Sequence, residues 1–161
     1  MSLCLLKRGF ILLILIVTFS STWTSARPAP QMRASVMGTW TGQSICTGNH
    51  PACKNEVVVY RVEAIPDKPG MVTMFADKII GGKREPMGKL DFQYDRTREA
   101  LSCEFVRGRT HGLFEFKMTG DTMEGTLVLL PEKSVGRRIK VRRVTEDQVP
   151  PAPDRKEYDG M

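Results

Sequence analysis

The chain is 161 residues long, 41% hydrophobic and 26% charged, with 24 Lys plus Arg against 18 Asp plus Glu and a net charge of +6. So mild an excess, interspersed with acids, lacks the basic stripe of a nucleic-acid surface, and the length suits one ordinary domain. No nucleic-acid partner is expected.

Residues 1–26 carry the pattern of a secretory signal peptide. Lys7 and Arg8 supply the positive start, Phe10 to Phe19 the apolar run, and Thr24-Ser25-Ala26 a small-residue cleavage site. The apolar run is about half of the roughly 20 residues that a bilayer-spanning helix needs, so a removed leader is expected rather than a stable membrane insertion. Cleavage after Ala26 takes two of the 24 basic residues and none of the 18 acidic ones, lowering the net charge from +6 to about +4 on a secreted or periplasmic product. Residues 27–35, proline-rich and polar, then read as a flexible arm, and residues 146–161, of the same character, as a disordered tail.

Between them, residues 36–145 show strand signals at short spacing and no 3.6-residue period. Strands are predicted over 37–46, 56–64, 71–79, 87–95, 99–106, 112–119, 122–130 and 136–144. Cys46 and Cys53 end and follow the first of these, and the turn formers Gly48, Asn49 and Pro51 between them let the chain double back. The two sulfurs can then bond, as an oxidising compartment favours. A metal site of Cys46, His50 and Cys53 is the sharper alternative, but no fourth ligand follows closely. Cys103, on the apolar side of its strand, reads as a buried free thiol.

Connections this short leave no room for crossover helices, so neighbouring strands should pair antiparallel. Val58, Tyr60 and Val62 point away from Arg61 and Glu63; Leu90, Phe92 and Tyr94 from Asp91, Gln93 and Asp95; Phe114, Phe116 and Met118 from Glu115 and Lys117. An all-β sheet of eight strands with one apolar face buries it by closing into an up-and-down barrel, which also removes both edges. A two-sheet β-sandwich would bury the same faces. In the last strand, inward Ile139 and Val141 leave Arg138, Lys140 and Arg142 as a solvated outer row. Arg143 continues the inward register and can lay its guanidinium on an indole.

Gly38-Thr39-Trp40 on the first strand and Arg143 on the last resemble the signature of the calycins, the lipocalins and their relatives. That resemblance implies a barrel whose tryptophan is covered by the arginine at one end, with Gly38, Trp40 and Arg143 in structural roles. The chain is also similar to small bacterial exported proteins with a Gly-x-Trp-x-Gly opening, a nearby cysteine pair and a late phrase like Gly120-Asp121-Thr122-Met123-Glu124-Gly125-Thr126-Leu127.

The functional expectation is a non-catalytic barrel for a small apolar ligand, with Tyr60, Phe92, Tyr94, Phe114 and Phe116 as its contacts, because an apolar lining with a few polar handles suits such a site. The same side chains could instead fill the interior, as an eight-stranded barrel allows. A third reading is a protein-interaction module such as a periplasmic protease inhibitor, docking through the arm or the loop at 47–52. No enzyme, cofactor or metal is expected: His50 and His111 lie at turns, and Glu115 and Glu124 on the outer face have no cleft around them.

Overall fold

Period-two alternation and turn residues at short intervals dictate hairpins, and hairpins build the whole sheet. The computed structural model describes residues 36–47 and 52–159, so the expectations for the leader, the arm and His50 lie outside the described residues. The strands are β1 Gly38–Cys46, β2 Glu56–Ala64, β3 Met71–Ile80, β4 Lys83–Asp95, β5 Ala100–Arg107, β6 Thr110–Thr119, β7 Thr122–Leu130 and β8 Ser134–Val144. Each pairs antiparallel with the next, and β8 returns to pair with β1 in a closed barrel rather than a sandwich. The two-residue hairpin from β3 to β4 turns on Gly81-Gly82, whose φ angles of 58° and 77° suit the primed turn that matches strand twist.

β4 starts earlier than the sequence predicts, at Lys83. Register between β3 and β4 shifts after Ala76, which faces Gly88, while Asp77 faces Pro86. The bulge absorbs Met87 and accommodates Pro86, which the ladder would otherwise exclude.

Inward residues Trp40, Val62, Val72, Leu101, Met118 and Met123 are buried and pack one half of the barrel solid. Outward residues behave as alternation requires on β8, where Arg138, Lys140 and Arg142 are exposed. On β2 and β3 they do not: Val59 and Phe75 point outward yet are 0% and 6% exposed.

The chain after β8 covers Phe75. Contrary to the expected disordered tail, residues 146–159 lie along the outer wall with single 3₁₀ turns at Glu146–Gln148 and Arg155–Tyr158, the second closed by a capping box from Asp154 and Glu157. The Tyr158 ring meets Phe75 edge-on at 5.1 Å, and its hydroxyl donates to Asp77 Oδ1 at 2.5 Å. Arg84 donates to Asp77 Oδ2 at 2.7 Å and to Glu146 Oε1 at 2.6 Å, and Thr39 donates to Glu146 Oε2. Burial raises the Tyr158 hydroxyl pKa, and the bond to Asp77 adds to it. Burial works against the charged forms of Arg84 and Glu146, but their hydrogen bonds outweigh it, holding the guanidinium above its ordinary value and the carboxyl below its own. Composition hid this strap because a proline-rich segment looks solvated, while the groups that anchor it lie far back in the chain.

Candidate functional site

The two ends of the barrel are built differently. At the end where β1 begins, Trp40 is 0% exposed and its indole Nε1 donates to the Val36 carbonyl at 3.0 Å. The Arg143 guanidinium lies 4.3 Å from the indole ring centroid, donates to the Met37 carbonyl at 2.6 Å, and pairs with Asp121 at 3.1 Å. Pairing of Trp40 with both Tyr60 on β2 and Arg143 on β8 makes that stack possible. Gly38, at a φ of 118°, carries the turn into the strand beneath Arg143, where a side chain would meet the guanidinium at 3.1 Å. Gly42, two residues beyond Trp40, lets β1 approach β8: a Cβ there would stand 2.1 Å from the Lys140 carbonyl oxygen.

At the opposite end the interior is hollow. A cavity of about 280 Å³ extends from Tyr60, Phe92 and Phe116 at mid-barrel to Ser44, Glu56, Arg107 and Arg137 at the rim. Phe114 stacks on Phe116 at 6.0 Å and on Phe105 at 5.4 Å, so an aromatic wall climbs β5 and β6 from the packed half to the mouth. Phe92 meets both Phe114 and Phe116, at 6.2 and 5.9 Å. Met74, Leu90, Leu127 and Ile139 complete the apolar lining. Burial raises the Tyr60 hydroxyl pKa, with Arg137 opposing and Glu56 adding to the shift, so this phenol stays neutral.

Four of the five contacts expected from the sequence therefore share one cavity: Tyr60, Phe92, Phe114 and Phe116. Tyr94 does not join them. It is half-buried near the packed end, paired with Leu101, and its backbone N–H donates to the Gly70 carbonyl at 2.7 Å. Its parity is right; its height along the barrel is not.

Four rim residues escaped the sequence reading. Arg137 donates to Glu56 at 2.9 Å, to Ser44 Oγ at 3.0 Å and to the Lys54 carbonyl at 3.2 Å. Parity with Ile139 and Val141 points Arg137 inward, but it sits in a run of basic residues whose outer row, Arg138, Lys140 and Arg142, is solvated. Arg107 adjoins Gly108 at the end of β5, where a charged side chain looks solvated, although it continues the inward register of Leu101, Cys103 and Phe105.

Arg107 stands at a break in the wall. Pairing between β4 and β5 consists of Gln93 with Ser102, Tyr94 with Leu101 and Asp95 with Ala100, after which the two strands part. Continued, that register would set Arg107 opposite Gly88; instead the side chain bridges the seam. Its Nη1 donates to the Met87 carbonyl at 3.5 Å, and a Cβ on Gly88 would lie 2.8 Å from the same nitrogen.

The disulfide joins Cys46 to Cys53 beside this mouth, with Cα atoms 6.0 Å apart, so the two sulfurs bind each other. Cys46 is the register partner of Arg137, and its N–H donates to the Asn55 side chain at 3.0 Å. The bridge thus anchors the segment whose Lys54 carbonyl holds Arg137. Cys103 is free and buried, and burial, with Asp91 adding, raises its thiol pKa. His111 pairs with Glu104 at 2.6 Å on the outer surface, away from the cavity.

Comparison of the chain with protein-family models, with curated proteins and with solved structures finds no match in any of the three.

Proposed function

We propose that this protein is an exported, non-catalytic binding barrel that holds a small apolar ligand in the hollow half of its interior. The observation that carries the reading is the aromatic and aliphatic cavity of about 280 Å³ open to solvent-facing groups at one end only. That volume stands near the lower bound of small-molecule sites, about 300–1,000 Å³, so it suits a compact or slim ligand. Burying such a ligand returns about 25 cal/mol for each Å² of apolar surface removed from water. The disulfide and the leader-like start are what support export, because a bridge of this kind persists in oxidising compartments.

The test is binding of neutral N-phenyl-1-naphthylamine, whose emission rises in an apolar site, to wild type, to Phe114→Ala and to Leu127→Trp. Wild type is expected to bind, Phe114→Ala to bind at least as well because the cavity is wider, and Leu127→Trp to lose binding because the indole fills it. If none of the three binds while all remain folded, the hollow is not a ligand site and the carrier reading fails.

A further inference from the structure

We propose that the ligand is an amphipathic anion, its tail against the aromatic wall and its anionic head on Arg107 at the β4–β5 seam. The inference rests on the carrier reading and gives it a ligand class and an orientation.

Four residues of the lining carry a charged side chain: Glu56, Lys89, Arg107 and Arg137. Three are already paired. Arg137 binds Glu56 at 2.9 Å, and Lys89 binds Asp159 of the outer strap at 2.5 Å. Arg107 has no carboxylate partner among the described residues, and its single hydrogen bond, to the Met87 carbonyl, is long at 3.5 Å. The lining therefore carries one uncompensated positive charge, set where the wall opens.

A ligand that fills the cavity to its rim also covers this guanidinium. A neutral head would take water from the charge and give nothing back, and a cationic head would repel it. A carboxylate replaces the lost water with short charge-assisted bonds, two at once if it meets the fork of the guanidinium. Gly88 lets the guanidinium lie close against β4, since a Cβ there would stand 2.8 and 3.3 Å from its two terminal nitrogens, and Arg107 is otherwise exposed to a head arriving from the mouth. The polar groups elsewhere on the rim do not compete, because Ser44 and Glu56 are engaged by Arg137.

The orientation follows from the same placement. With the head on β5 and β4, the tail runs inward past Phe105 and Phe114 toward Phe116 and Tyr60, which are the successive steps of the aromatic wall.

Calorimetric titration of the full chain with decanoate and with decanol, which share a tail and differ in the charge of the head, tests this. Wild type is expected to bind decanoate at least ten-fold more tightly than decanol at low salt, with the gap narrowing in 0.5 M NaCl as screening sets in. Arg107→Met and Arg107→Gln are both expected to bring the two affinities within about two-fold, whereas Arg138→Gln, on the exposed outer row, should leave the gap as it is. Decanoate, and not acetate, should shift the amide resonance of Gly88. Equal affinities in wild type, or a gap that survives both Arg107 substitutions, overturn the head assignment while decanol binding keeps the carrier reading standing. Binding of neither amphiphile nor the neutral naphthylamine overturns both.

Discussion

Inward-register arginines stand at both ends of this barrel, and Arg143 at one end and Arg107 at the other do opposite things. Arg143 is spent on the protein: it covers Trp40, holds the Met37 carbonyl and pairs with Asp121. Arg107 stands over a hollow with one long bond to a carbonyl. A guanidinium that seals a core and one left available at a mouth look alike in sequence. Their neighbours separate them: a tryptophan and a carboxylate in one case, a parted pair of strands in the other.

Substitutions matched across the two ends probe that contrast, and the largest effect belongs to the tryptophan. Trp40→Ala is expected to cost about 3–5 kcal/mol, the usual range for a fully buried large aromatic, whereas Phe114→Ala only extends an existing cavity and should cost clearly less. Urea midpoints measure both, and similar losses would mean that the two ends are equally packed. Next come the glycines. Gly42→Ala pushes a methyl to 2.1 Å from the Lys140 carbonyl oxygen, so backbone must move, at about 1–3 kcal/mol. Gly88→Ala meets only the flexible tip of Arg107, but its φ of 127° makes any side chain strained, about 1 kcal/mol. The arginines themselves differ less: Arg143→Ala should cost about 1 kcal/mol through the lost stack on Trp40, and Arg107→Ala less than about 0.5 kcal/mol. A larger stability loss at Arg107 than at Arg143 would reverse the assignment of which arginine is structural.

The smallest effect lies on the side wall and belongs to neither end. Glu146 has a depressed pKa in the fold, so its contribution is complete above the ordinary carboxylate value and is lost as pH falls through the lower folded one. The urea midpoint of wild type should exceed that of Glu146→Gln at pH 7 and converge on it toward pH 3. A gap that does not change with pH would show that the carboxylate charge contributes nothing there.

Eight strands were legible because each carries one wet and one dry face, which writes a period of two into the residues themselves. Trp40 under Arg143 was legible too, since β8 closes on β1 and brings the opening phrase against the final strand. The bulge was not, because Pro86 argues against a strand and only the partner strand supplies the reason it is tolerated. The strap was hidden for a related cause: nothing near Tyr158 in sequence announces that Phe75 and Asp77 will be its neighbours. At the mouth, the aromatic wall followed from parity, but parity says nothing about height, so Tyr94 was grouped with residues well above it. The seam was invisible altogether, since a strand pair that stops after three residues leaves no local signature.

That strap changes what can be done to the protein from its C-terminal side. A chain cut after Val144 would keep all eight strands, yet it would lay bare Phe75 and leave Arg84 and Asp77 without Glu146 and Tyr158 to complete their network. The expected product is a barrel that still closes but sticks to itself through a freshly wetted outer wall. A purification handle attached at this terminus therefore needs a spacer long enough to leave Tyr158 seated.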